Sequence, residues 1–360
     1  MGDFSAAGRA ARSNASGRYE PIAREAFDDG WETGAAADRV ATDVTLEKPK
    51  TIVNYVESPF VGFDRSINPY RGCEHGCIYC FARPTHAFYG LSPGLDFETK
   101  LFAKPNAAAL LERELRAPKY RPRRIAIGTN TDPYQPIERR LRVMRGVLDV
   151  LRRFRHPVSV LTKSDLVARD ADILAPMGAA GIAHAMVSIT TLEPGLARAM
   201  EPRASAPHRR LAAVRALADA GAPVGVMTAP MIPGLNDHEL EALLAAAKDA
   251  GASFVGYTTL RLPLEVASLF KEWLEANYPD RARRVMTHVR EMNGGRDYDP
   301  EWSRAARPRS IVARLIGERF GAAAARLGLA TDVPELDASQ FAPPVEKGGQ
   351  LSLFGDSGVG

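Results

Sequence analysis

The sequence predicts an α/β protein built on a parallel sheet. Two observations carry this: six short apolar or β-branched runs, and amphipathic helical patterns lying between them. A third shows where the chemistry sits. All three cysteines fall within eight residues, directly after the first predicted strand.

The strands are expected at Ser66–Tyr70, Arg124–Asn130, Val158–Lys163, Ala183–Thr191, Val224–Ile232 and Ser253–Leu262. Ile137, Leu141, Met144, Leu148 and Leu151 recur at intervals of three and four, which predicts one helix with an apolar face. Leu211, Val214 and Leu217 do the same up to Gly221. Asp237 is placed to cap a helix carrying Leu240, Leu243, Leu244 and Ala247, which stops at Gly251. Such alternation implies right-handed crossovers. Periodicity alone leaves an open doubly wound sheet and a barrel equally possible. Residues 1–50, rich in Ala, Gly, Ser and Asp, are expected to be disordered, ahead of a core at 51–265. A helical extension follows at 266–330, with helices over 265–277, 280–292 and 310–327. Residues 331–360 read as a flexible tail.

With 45% hydrophobic residues among 360, the chain can bury one large core. It has no apolar run of membrane-spanning length, no signal peptide and no myristoylation pattern, which points to the cytoplasm. Residues 1–50 hold 7 Lys/Arg against 9 Asp/Glu, and residues 331–360 hold 1 against 5. The whole chain is +4, so the middle carries a surplus of +10, mostly arginine in runs at 121–124, 139–145 and 152–155. A basic core between acidic tails suits a polyanion such as nucleic acid.

The cysteines stand in Arg71-Gly-Cys-Glu-His-Gly-Cys-Ile-Tyr-Cys-Phe81, a C-x3-C-x2-C spacing. An odd, clustered set in a cytosolic chain suggests a metal rather than disulfides. Three thiolates on one loop can hold three irons of a cubane and leave the fourth open. Gly72 and Gly76 allow close wrapping. Zinc with His75 or His86 as fourth ligand is the alternative, although the usual paired C-x2-C units or distant His pair are missing.

C-x3-C-x-aromatic-C resembles the signature of the radical S-adenosylmethionine (SAM) superfamily. The stretch Asn68 to Arg83, NPYRGCEHGCIYCFAR, and Thr131 to Pro136, TDPYQP, are similar to the branch around spore photoproduct lyase. The resemblance covers residues 55 to 265. It implies a partial (β/α)6 barrel of TIM type, and a [4Fe–4S] cluster on Cys73, Cys77 and Cys80. SAM would be chelated at the open iron, and an electron donor such as flavodoxin or ferredoxin would reduce the cluster. Reductive cleavage would yield a 5′-deoxyadenosyl radical that takes a hydrogen atom from the substrate. By the same resemblance, Tyr79 contacts adenine and Thr131 and Asp132 serve the SAM amino group. Lys163 and Ser188 hold the carboxylate and ribose, and Arg203 offers a bidentate contact to the carboxylate. Ile232, within Pro230–Gly234, approaches the adenine.

Spore photoproduct lyase returns a hydrogen atom through a further cysteine, and no fourth cysteine exists here. Tyr257 and Tyr134 are the candidate replacements; otherwise SAM is consumed as a co-substrate. Near the C-terminus, Gln350-Leu351-Ser352-Leu353-Phe354 resembles the peptide by which bacterial repair and replication proteins dock on the sliding clamp. Three readings follow: a radical SAM enzyme acting on DNA, one acting on RNA, protein or a small molecule, and a non-enzymatic metal-stabilised nucleic-acid-binding protein.

Overall fold

The computed structural model describes residues 8–20, 40–57, 62–300 and 310–345. Its strands are β1 (Asp43–Leu46), β2 (Val53–Tyr55), β3 (Arg65–Ile67), β4 (Tyr70–Arg71) and β5 (Lys100–Ala103). They continue with β6 (Ile125–Ile127), β7 (Val158–Thr162), β8 (Ala183–Ser188), β9 (Val224–Met231) and β10 (Phe254–Thr259). The main helices are α1 (Ala107–Leu115), α2 (Val143–Arg153), α3 (Ala171–Ala179) and α4 (Pro207–Asp219). After them come α5 (Leu240–Asp249), α6 (Val266–Asn277), α7 (Pro279–Met292) and α8 (Ile311–Leu327).

The large sheet runs β10-β9-β8-β7-β6-β3-β2. Every pair from β3 to β10 is parallel, and β2 joins the edge antiparallel. The parallel order never reverses. Right-handed crossovers that always advance one way put all their helices on one face, whereas a doubly wound sheet reverses at a switch point. The sheet is therefore an arc of barrel built from six strand–helix steps. Among the described residues its two edges are not joined. A small sheet, β1-β5-β4, flanks it.

Alternation along the strands divides the side chains between the two faces. Val158, Val160, Ala185, Val187, Val224 and Val226 point outward into the core beneath the helices, against Leu148, Leu151, Leu174, Val214, Leu217 and Leu244. Each buried Val or Leu among them contributes roughly 1.5–3 kcal/mol. Ser159, Leu161 and Lys163 turn to the concave side, which stays partly open. A second apolar cluster joins Ile78, Tyr79, Met200, Ile232, Phe270 and Trp273. It seats α6 and α7 over the C-terminal ends of the strands, and Trp273 Nε1 donates to the Ala199 carbonyl at 2.9 Å.

Five sequence expectations need correction. The helix predicted from Ile137 to Leu151 breaks at Arg142, whose φ of 51° ends Glu138–Leu141 before α2 begins. Residues 8–20 and 40–50 are ordered, because distant groups satisfy their backbone. Glu98 accepts from Ala10 N and Ala11 N, and β1 pairs with β5. The extension is not one unit. α6 and α7 cap the rim, but α8 packs on α5 and β10 as the sixth outer helix. The tail is docked as far as 345. Asp337 N donates to the Gly181 carbonyl at 3.0 Å, and Phe341 lies 5.7 Å from Tyr120 and 5.5 Å from His156. Asp237, expected as a helix cap, instead accepts from Gly234 N at 2.8 Å.

Burial lowers the pKa of His156 and of His184 to about 4. Both stay neutral when folded but take up a proton more readily when unfolded. Stability is therefore expected to be full above about pH 6.5 and to decline as pH falls toward 4. Denaturant midpoints across that window test this; a flat profile would contradict it.

Candidate active site

The chain leaves β3, forms β4, and then wraps the cysteine loop at the C-terminal end of the strands. Gly72 and Gly76 have φ of 68° and 67°. A Cβ at Gly72 would meet His86 Cε1 at 2.9 Å, and one at Gly76 would meet Glu98 Oε2 at 2.7 Å. Only glycine lets the loop turn there.

The loop is held from beneath and from one side. Arg83, fully buried, donates through Nε to the Cys77 carbonyl and through Nη2 to the Gly76 carbonyl, each at 3.0 Å. It also pairs with buried Glu98 at 2.5 Å. Thr131 Oγ1 donates to the Gly72 carbonyl at 2.7 Å, and Glu74 N donates to Gln135 Oε1 at 2.9 Å. The loop is preorganised by protein contacts alone.

Cys73 and Cys77 are buried and Cys80 is partly exposed. Burial pushes the Cys77 thiol up to about 12, and raises Cys73 and Cys80 as well. Three thiols of this kind ionise only when a strongly positive centre is bound among them. Among the described residues no three His, Cys, Asp or Glu side chains are grouped around a point that would hold a single metal ion. A cubane instead takes each thiolate on a different iron, so its ligands stand further apart. The proposed zinc partners face other groups. His86 Nε2 lies 2.9 Å from the Lys100 carbonyl, and His75 Nδ1 lies 3.3 Å from Asp132 Oδ2. That second contact lacks hydrogen-bond geometry. The residues present fit a cluster and not zinc.

Above the loop, Lys163, Ser188 and Tyr79 converge. Lys163 Nζ donates to Ser188 Oγ at 3.1 Å and lies 5.7 Å from the centre of the Tyr79 ring. The Tyr79 hydroxyl is bound by Glu201, which also pairs with Arg210 and accepts from Thr190 at 2.6 Å. Burial would raise the Glu201 carboxyl, but the Arg210 guanidinium holds it below the usual range. Glu201 thus fixes the tilt of the tyrosine ring from below. Ile232 is fully buried beside Tyr79.

Other expected site residues are placed differently. Thr131 is committed to Gly72. Asp132 accepts from Thr162 Oγ1 at 2.6 Å and from Lys163 N at 2.7 Å. Burial would raise its carboxyl, but the His75 ring and these donors bring it to about 2. It positions Lys163 and His75, and its oxygens are taken by protein donors. Arg203 donates to Glu74 at 2.6 Å. Tyr257 points outward, its ring 4.6 Å from Phe320 of α8. Tyr134 is buried with its hydroxyl on Asp170 at 3.0 Å. Strand alternation sends Tyr257 to the wrong face, and a buried carboxylate claims Tyr134, so neither tyrosine reaches the concave side. Residues 350–354 lie outside the described residues.

Residues 67–247, half of the chain, match the family described as the Radical SAM superfamily. The chain belongs to the radical SAM superfamily. Its cofactors are those of the family, a [4Fe–4S] cluster and SAM. An uncharacterized protein of Mycobacterium tuberculosis is 39% identical over 224 residues, 62% of this chain and 66% of the relative. The match thus spans just under two thirds of that relative. An uncharacterized protein of Methanocaldococcus jannaschii is 28% identical over 233 residues, 65% of this chain and 83% of the relative. Among solved structures, spore photoproduct lyase complexed with dinucleoside spore photoproduct superposes with a TM-score of 0.53 at 16% identity. That superposition covers 80% of this chain and 81% of the lyase. A mutant lyase with bound AdoMet and dinucleoside spore photoproduct gives a TM-score of 0.52, covering 80% of each chain. At this identity the likeness speaks for the fold: an arc of radical SAM barrel, as the strand order already indicates.

Sequence reasoning missed Glu98, Glu201, Arg210 and Gln135. Glu98, Glu201 and Arg210 stand outside the quoted motifs, and Gln135 stands within Thr131–Pro136 but carried no role. Arg83 was visible within the matching stretch but carried no role. No described helix is long and apolar enough to cross a membrane.

Proposed function

We propose that this radical SAM enzyme reductively cleaves SAM and directs the resulting radical at DNA, for repair or modification. The observation that carries the reading is the convergence of Lys163, Ser188 and the Tyr79 ring above the cysteine loop. Cys73, Cys77 and Cys80 would hold the [4Fe–4S] cluster, which would supply the electron for reductive cleavage of SAM to methionine and a 5′-deoxyadenosyl radical able to take a hydrogen atom from the substrate. The chain's own work is to bind and orient. Lys163 offers a charge-assisted donor to the SAM carboxylate and Ser188 a hydroxyl to the ribose. Tyr79 and Ile232 provide apolar contact for adenine. Glu201 and Asp132 hold Tyr79 and Lys163 in place. With neither tyrosine on the concave side, we assign SAM the role of co-substrate, consumed once per turnover.

DNA is favoured by the surplus positive charge of residues 51–330, and by fold neighbours whose bound substrate is a dinucleoside photoproduct. A flavodoxin or ferredoxin is the proposed electron donor. Residues 350–354 are the proposed tether to the bacterial sliding clamp, and the cytoplasm is the proposed place of work.

The test is anaerobic reconstitution with iron and sulfide, reduction by dithionite, and assay of 5′-deoxyadenosine with and without damaged DNA. Stimulation by DNA, with one 5′-deoxyadenosine per altered nucleotide, is expected. Cleavage indifferent to every nucleic acid offered would defeat the DNA reading. Lys163→Met should weaken SAM binding roughly 10- to 100-fold, the loss of one charge-assisted contact, at unchanged iron content. Unaltered SAM affinity would remove Lys163 from the site.

A further inference from the structure

We infer that the groove between α2 and α3 binds the phosphate backbone of the nucleic acid. The inference rests on the DNA-directed reading above and names the surface that reading requires. Arg142, Arg145, Asp149, Arg152 and Arg155 are spaced by three, four, three and three residues, which sets them along one stripe of α2 and its ends. Two of the basic runs visible in the sequence are thereby joined into a single feature. The stripe lines a cleft of about 670 Å³ whose far wall is α3, with Ile173, Pro176 and Met177.

The acidic groups in the cleft are already neutralised. Asp172 pairs with Arg145 at 2.7 Å, and Asp149 pairs with both Arg152 at 2.7 Å and Arg153 at 3.2 Å. The exposed charges left over are at the two ends. Among the described residues Arg142 makes no side-chain ion pair or hydrogen bond, and the Arg155 side chain meets only the neutral Gln340. The eleven residues of α2 between these ends rise about 16 Å. One small anion cannot engage both guanidinium groups; a linear polyanion can. The Arg142 end also adjoins the reactive rim. The segment that leads from β6 to α2 carries Gln135, whose side chain holds the cysteine loop through Glu74 N. A strand whose reacting nucleotide lay at the rim would continue down this groove.

The experiment is fluorescence anisotropy of the full chain with short labelled single-stranded and duplex DNA over a salt series. The double variant Arg142→Ala/Arg155→Ala should bind about 10-fold more weakly at low salt. Its log–log salt slope should be shallower by about 1.4 for single strands and about 1.8 for duplex, two phosphate contacts' worth. Arg314→Ala/Arg326→Ala on α8 removes the same charge elsewhere and should change the slope little. Far-UV circular dichroism and DNA-independent SAM cleavage should be unchanged in both. Equal slope losses in the two pairs, or none in the groove pair, would overturn the groove while leaving DNA binding intact. A wild-type chain that binds no DNA would overturn the underlying reading as well.

Discussion

Cys77→Ala is expected to abolish formation of 5′-deoxyadenosine and to strip the protein of its iron–sulfur cluster. The substitution removes one sulfur and little else. The Cys77 carbonyl still accepts from Arg83 Nε and from Cys80 N, so the loop keeps the contacts that shape it. With Cys77 gone, Cys73 and Cys80 cannot together satisfy a cubane that leaves only one iron open. Losing a residue that merely supports a ligand costs ~10–100-fold, so losing a ligand itself should cost more, to below detection. The thiol is neutral until metal binds, since burial pushes it up to about 12. The metal-free variant should therefore lose no charge interaction and differ from the metal-free parent only by the packing of one buried sulfur, about 1 kcal/mol. Iron content, visible absorbance and product formation should all fall together. Full iron loading with residual turnover would show that Cys77 is not a ligand.

The second large effect is on stability. Arg83 and Glu98 form a fully buried pair under the loop. Arg83 also donates to the carbonyls of Gly76, Cys77, Pro93 and Gly94. Arg83→Met would leave Glu98 charged and buried with those carbonyls unanswered. Breaking one side of such a pair costs about 3–5 kcal/mol, which lowers Tm by on the order of 10 °C. Arg83→Met/Glu98→Gln should lose less than the sum of the two single variants, because the stranded charge is gone. Glu98→Gln alone should loosen residues 8–20, whose anchor is the carboxylate on Ala10 N and Ala11 N. Amide exchange in that segment reports it directly. A small or strictly additive set of changes would show that the pair is incidental to the loop.

These contacts separate what is local in the chain from what is not. The six strands, the cysteine loop with its two glycines, and the helices after residue 264 are written in short stretches of sequence. Apolar alternation, helical spacing and ligand spacing each act within about ten residues. The strand ends therefore announce Lys163 and Ser188, and the loop announces Tyr79. The partners of these residues are another matter. Glu201 meets Tyr79 across more than a hundred residues, and Glu98 reaches back to Ala10. The choice between Tyr257 facing the site or the helices depends on which face of β10 meets α8. The same holds for the order of residues 8–20 and 331–345, whose weak apolar content gives no local sign of docking on groups supplied from afar.

The sequence by itself determined the family, the close three-cysteine spacing and the parallel βα design, because each depends on side-chain chemistry at fixed short spacing. Only the tertiary structure decided that the strand order runs one way into a barrel arc, and that Asp132 and Arg203 serve neighbouring side chains. It alone joined separate arginine runs into one groove. Those features arise from the pairing of buried polar groups that are distant in sequence. Such groups must find partners once water is excluded, and only the folded chain brings the partners together.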